Sequence, residues 1–360
     1  MVGAACDGRG NLMVGWITMH YEGRYDIFDT SRIHTYPLGE RLSKVPASMM
    51  ADPAELAMTP VESSNEEMRR LAEATLTSRA ADRPVVWMTG AHLIKNGFGR
   101  LLGDLMERGL VSLVAMNMAG MIHDLELALV GRTSEDVPRE LPAGRFGFAE
   151  ETGRLLNRAL TEGERLRIGA GEAIGRLICG EPMPDPIEFP HRHLSAVAAG
   201  WRAGVPVTMH AGIGTDIIDQ HPNWDPAAKG GCSGRDFLIF AAEIERMGGG
   251  EGGVYLNVGT SVTGPEVFLK ACSMAANVGR PPRGVVTASF DIRVGHPADV
   301  DDERKTGYYF RDLKSVVVRV PAAFGGRGYY IQGDHLVTLP AFYQHLVQGL
   351  GPVEPGKGRT

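Results

Sequence analysis

The residues of this chain whose types suit chemistry fall just after short apolar runs. His123-Asp124 closes one such turn. An imidazole that titrates near neutrality can move a proton, and the carboxylate beside it can hold a ligand or cap a helix. His210, Asp216, Asp219 and His221 form a second group, able to bind a metal ion or a substrate amine. Their spacing matches no established metal motif, and a loop that uses aspartate for its turns explains them equally well. Asp334-His335 follows another run, with a turn as the alternative reading. Lys314 reads as a solvated helix lysine unless burial or a cationic neighbour makes its amine reactive.

The elements that must position these groups repeat one grammar. Residues 85–88 are an apolar run that stops at Thr89-Gly90, and 98–107 carries Phe98, Leu101, Leu102, Leu105 and Met106 at helical spacing. Gly109 ends that helix, 111–116 is a second wholly apolar run, and 122–130 is its helix. The same alternation returns with strands at 205–209, 253–258, 284–292 and 329–331, and helices at 235–247, 265–277 and 340–347. Helices are also expected over 60–81, 148–160 and 167–179, whereas 133–147 and the proline-punctuated stretch 182–190 read as loops.

Strands alternating with helices in this way predict an α/β fold with an open, doubly wound, mainly parallel sheet of about six strands. Ligands in such sheets sit beyond the carboxyl ends of the strands, so the turns at 89–96 and 117–124 are the first candidates for a binding site. Neither G-x-G-x-x-G nor G-x-x-x-x-G-K-[ST] is present, and Gly212-x-Gly214 is only a fragment of the first. The domain reading is an N-terminal extension and arm over 1–40, one α/β domain over 41–348 and a flexible tail over 349–360. The aromatic-rich stretch 21–37 is expected to lie over a surface or a neighbouring subunit.

Composition narrows the class. A chain of 360 residues with 43% hydrophobic content can bury a large core. Its net charge of -6 and lack of Lys/Arg clusters argue against nucleic acid as the main partner. The cysteines at 6, 179, 232 and 272 lie far apart, which reads as reduced thiols and a cytoplasmic protein. No run of 18 apolar residues exists, so no membrane partner is expected.

The segment Thr89-Gly90-Ala91-His92-Leu93-Ile94-Lys95-Asn96-Gly97, followed by Asn117-Met118-Ala119-Gly120-Met121-Ile122-His123-Asp124, resembles the deoxyhypusine synthase family. That family places an N-L-I-S-S-G-like turn and a T-A-G-G-V-E-E-D turn at the same separation. Val205-Pro206-Val207, Gly214-Thr215-Asp216 with His221, residues 256–259 and Gly333-Asp334-His335 continue the likeness in order over roughly 80–345. The resemblance implies NAD-dependent transfer of a butylamine group from spermidine, through an imine on an enzyme lysine, in a homotetramer with active sites between subunits. It further implies that Ala91, His92, Leu93, Ile94, Lys95, Met118, Ala119, Gly120, Asp124, Val258, Asp334 and His335 line the NAD site, and that Asp216 meets a substrate amine.

Departures from the family pattern redirect the expected activity. Its paired acids become His123-Asp124, its active-site histidine aligns with Thr263, and its nucleophilic lysine aligns with Arg319. A guanidinium stays protonated and is no amine nucleophile. The expectation is therefore a divergent transferase acting on a small amine or polyamine, with Lys314, His123 and Asp216 as catalytic candidates. Two further readings stay open: a metal-dependent hydrolase using His123, Asp124, His210 and Asp216, and a non-catalytic nucleotide-binding assembly protein.

Overall fold

A computed structural model describes residues 21–61, 65–181, 187–250 and 252–350, together with a short pairing of Ala5–Cys6 with Leu12–Met13. Most of the glycine-rich start, Pro182, Pro184 and Pro186 of the expected loop, and the tail from 351 onward lie outside the described residues.

The central sheet is built mainly from apolar runs buried on both faces, with a partly exposed, more polar strand, Arg327–Gln332, at one edge. Its strands are β2 (Val85–Thr89), β3 (Leu113–Asn117), β5 (Val207–His210), β6 (Val254–Val258), β7 (Val286–Asp291) and β8 (Arg327–Gln332). All pairings among them are parallel, in the spatial order β8-β7-β6-β2-β3-β5. Counted along the chain this is 6-5-4-1-2-3, the order of a doubly wound dinucleotide-binding sheet. Two more strands, β1 (Ser43–Pro46) and β4 (Arg132–Glu135), pair antiparallel away from it. Thr133 and Ser134, expected in a polar loop, therefore belong to a strand, and both are buried.

Helices cover both faces. On one lie α2 (Glu66–Ala80), the short α3 (Ala91–Lys95), α4 (Gly99–Glu107), α5 (Met118–Val130), α7 (Glu150–Leu166), α8 (Ala170–Cys179), α9 (Ala196–Ala203) and α13 (His335–Gly349). Their core includes Leu71, Ile94, Leu102, Leu125, Leu156, Ile174, Val197 and Phe342 against Trp87, Met116 and Phe290 of the sheet. On the other face lie α10 (Pro226–Met247), α11 (Thr263–Asn277) and the crossover from β7 to β8, where Phe240, Ile244, Phe268, Val316 and Val320 meet Met88, Ala115 and Tyr255. That crossover is a π-helical stretch, Leu313–Arg319, continuing into α12 (Val320–Phe324).

The connections between β2, β3 and β5 thus wind over one face and those from β5 through β8 over the other, with α13 returning to the first. No described helix is long and apolar enough to cross a membrane. In the expected arm, Tyr36 docks against α7 through Ala149 and is buried, while Tyr21, Tyr25 and Phe28 are exposed.

Candidate functional site

β2 and β6 are neighbours in the sheet, yet the chain leaves β2 towards α3 and leaves β6 towards α11, on opposite faces. A crevice opens where connections diverge in this way. Two glycines line it. A Cβ on Gly90 would lie 2.3 Å from the Gly259 carbonyl oxygen, so a side chain there would collide with backbone. Gly259 itself has φ +58, and a Cβ on it would come within 2.9 Å of His335 Cε1 and 3.9 Å of His92 Cβ. Backbone from two halves of the chain therefore meets at a spot only glycine fits, with a histidine on either side.

The side chains at this crevice are cationic or can become so. His335 Nε2 lies 3.1 Å from the Phe290 carbonyl oxygen. His92 is exposed, and its pKa is lowered by partial burial and by the charges of Lys95 and His335. Lys95 is half-buried, and no hydrogen bond or ion pair engages its amine among the described residues. Its charge is felt by His92 and also by His123, on the α5 helix against which α3 packs.

His123 is held by a buried chain of partners. Its Nδ1 lies 2.7 Å from Thr133 Oγ1, and that hydroxyl donates to Glu126 Oε2 at 2.6 Å. Because the hydroxyl hydrogen goes to the carboxylate, Nδ1 must carry the proton it donates to Thr133, which leaves the lone pair on Nε2. Arg41 closes the network with two 2.7 Å bonds to Glu126, and Thr152 adds a third donor. Burial alone would raise Glu126, but Arg41 and the hydroxyls hold it below the usual carboxylate range. Burial pushes His123 down, with Lys95, Arg41 and His92 adding to the shift against the opposing pull of Glu126.

The remaining expected cofactor contacts divide by burial. Leu93, Ile94, Met118 and Val258 are core side chains, and Gly120 is buried as well, so only backbone at these positions can meet a ligand. Ala91 and Ala119 are half-buried. Asp334 is exposed and caps α13 by accepting from Leu336 N at 2.9 Å.

Asp124 is a correction. It is fully buried, accepts from Ala196 N at 2.7 Å and Val197 N at 3.3 Å, and accepts from the Ser195 hydroxyl. It therefore closes the amino end of α9 and has no oxygen left for a cofactor, while burial raises its pKa to about 6.

Asp216 is a second correction. Lys229, buried completely, donates to Asp216 Oδ2 at 2.8 Å, to Asp219 at 2.6 and 2.8 Å and to the Gly212 carbonyl at 2.9 Å. The cation expected from a substrate is supplied by the protein itself. Lys229 was missed because α10 was expected only from 235, although Asp225-Pro226 is a helix-start signal, and Asp225 does cap the helix at 226.

The four expected hydrolase ligands are likewise not assembled. His210 is buried against Thr208 Oγ1 at 3.1 Å and stands edge-on to Phe240. Among the described residues no group of three or more His, Cys, Asp or Glu is placed to hold a metal ion.

Lys314 is neither solvated nor in the crevice. Its amine lies 3.2 Å from the centre of the Tyr308 ring, and burial together with Arg319 and Arg311 lowers its pKa. It sits in the π-helical stretch on the α10–α11 face, whereas α3, α5 and α13 lie on the other. Arg319 is exposed at the end of the same stretch.

A cavity of about 670 Å³ opens at the amino-terminal edge of the sheet. Its arginines are engaged: Arg108 with Asp104, Arg202 with Glu107, and Arg79 with the carbonyls of Gly109 and Arg83.

No protein-family model matches the sequence, and no curated protein matches it. Among solved structures, 85% of the chain aligns with 74% of a LOR/SDH protein, provisionally named, from Methanococcus maripaludis, at 14% identity and a TM-score of 0.48. A provisionally assigned deoxyhypusine synthase from Entamoeba histolytica aligns over 81% of this chain and 91% of its own, at 9% identity and a TM-score of 0.40. The cyanobacterial arginine dihydrolase ArgZ aligns at 15% identity and a TM-score of 0.47, with 80% of this chain spanning 32% of that protein. At these values the likenesses are ones of outline, and the reading that follows rests on the geometry of the chain itself.

Proposed function

We propose that this chain binds NAD in the crevice between β2 and β6 and uses it to oxidise a carbon-nitrogen bond of a small amine or amino acid. The observation that carries the reading is the apposition of Gly90 and Gly259 at the point where the winding reverses, a cradle of two backbone turns packed so closely that a Cβ on either would strike the protein itself. Turns at strand ends can present backbone N–H groups to a pyrophosphate, and two separate glycine turns supply them here in place of one glycine fingerprint. When bound, NAD supplies the hydride acceptor.

The chain's own residues do the rest. The Gly90 and Gly259 turns bring backbone to the cofactor, His92 and His335 offer imidazoles beside it, and Lys95 places positive charge a turn further along α3, beside the substrate. His123 is neutral at pH 7 in its lowered state and is fixed with Nε2 free, so it is the group to accept the proton released from the amine. The homotetramer and the transfer of an aminoalkyl group remain proposals carried by the resemblance. Light scattering checks the first, and product analysis with NAD and a panel of amines checks the second.

Calorimetric titration with NAD tests the central claim. Wild-type protein should bind saturably, and Gly90→Val should not, while its far-UV circular dichroism keeps the wild-type shape. Absence of saturable binding by the wild type would sink the reading whatever the variant does.

A further inference from the structure

The resemblance implies a polyamine substrate, which would bring two or more positive charges into the crevice. The crevice already holds one positive charge, that of Lys95. On α3, His92 and Lys95 stand one turn apart, His335 approaches the Gly259 turn from α13, and His123 faces α3 from α5. The charged groups that act on His92 are Lys95 and His335, and no carboxylate is among them. The one carboxylate acting on His123, Glu126, is engaged by Arg41 in a two-bond ion pair and by Thr133 and Thr152. The aspartate expected to grip a substrate amine, Asp216, is bonded to Lys229. A cationic ligand would meet the repulsion of Lys95, and the carboxylate next to His335, Asp334, is spent on capping α13, whereas a half-buried lysine amine without a counter-charge is the complement of an oxyanion.

We propose that the substrate carries a carboxylate held by Lys95, with His92 and His123 beside it, so that the protein acts on an amino acid and not on a polyamine. This rests on the reading that NAD occupies the Gly90–Gly259 cradle, because the same cations would otherwise serve the cofactor's phosphates. Lys95 lies a full turn beyond the cradle along α3 and next to α5, which leaves it for the second ligand. Bound there, the carboxylate holds the amine-bearing carbon of an amino acid beside His123, the group assigned to take its proton.

The test uses the whole chain, free and with saturating NAD, titrated calorimetrically with oxalate as carboxylate probe, pyrophosphate as phosphate probe and spermidine as polyamine. The expected result is that oxalate binds both forms, pyrophosphate binds only the NAD-free form, and spermidine binds neither. Lys95→Met should weaken oxalate by roughly ten- to a hundredfold, the scale of one charge-assisted hydrogen bond, and leave NAD affinity within about twofold. Lys95→Glu, which removes the charge and installs its opposite, should abolish oxalate binding and admit spermidine. If NAD displaces oxalate completely, the cations belong to the phosphates and the inference falls while the cofactor reading stands. If NAD does not bind but Lys95-dependent oxalate binding persists, the cofactor reading falls and the carboxylate site survives. Spermidine binding to wild type, or oxalate affinity indifferent to both Lys95 variants, overturns the proposal.

Discussion

Two lysines lie in turns or helices beyond the carboxyl ends of the sheet, and they are treated in opposite ways. Lys229 is buried entirely and surrounded by two aspartates and a carbonyl, so its charge is spent on fixing the loop after β5. Lys95 is half-buried beside three histidines, and no acid partner engages its amine among the described residues. Residue types alone favoured the first region, where aspartates and histidines cluster in sequence. Geometry favours the second, because a charge already compensated inside the fold has little left to offer a ligand, whereas one without a partner is available to bind.

The sharpest way to break this contrast is to remove each lysine in turn. Lys229→Met strands two buried carboxylates and should cost about 3–5 kcal/mol in urea unfolding, the usual loss when one partner of a buried ion pair is deleted. A loss under about 1 kcal/mol would show that water reaches the aspartates and that the loop is open. The region around Lys229 also contains His210, whose pKa burial pushes down to about 4. Its unfolded value near 6.5 is higher, so the unfolded chain takes up the proton first and the stability this site confers falls as pH drops from about 6.5 towards 4. Compared with non-titrating His210→Gln, wild type should lose roughly 2 kcal/mol of its relative stability between pH 7.5 and 5. Parallel pH profiles for the two proteins would place His210 in contact with solvent. At the small end, Lys95→Met should change the unfolding midpoint little, within about 0.5 kcal/mol, because it breaks no bond within the fold. A large loss there would mean that Lys95 holds structure and would erase the difference between the two regions.

Much of this architecture was legible because burial on both faces of a parallel sheet leaves uninterrupted apolar runs, as at Val85–Thr89 and Leu113–Asn117. Residues 133–135 were not, since Arg132–Glu135 is polar and becomes a strand through pairing with Ser43–Pro46, far away in sequence. Around Lys314 the sequence suggests a helix but not its π-helical form, whose wider backbone spacing departs from the 3.6-residue pattern by which a helix is recognised.

Within the site, His92, Lys95 and His335 stand just after strand ends, which the sequence shows, while their shared lack of a counter-charge could emerge only in three dimensions. Asp124 and Asp216 show the converse. An aspartate after a strand looks the same in sequence whether it faces a ligand, closes the amino end of α9 or pairs with a lysine 13 residues on.

The pairing of β2 with β6 joins residues 85–89 to 254–258. During synthesis, β2 and β3 emerge long before their central partner, and the inner edge of β2 stays without its ladder until the chain has passed Val258. Such an edge is a template for pairing with other chains, and closing so long a loop delays folding. The crevice comes into being at the same late moment, because Gly259 forms one of its walls. A nascent or truncated chain ending before β6 is thus at once prone to aggregation and without the crevice, so a ligand that binds there would stabilise only molecules that have already passed their most vulnerable stage.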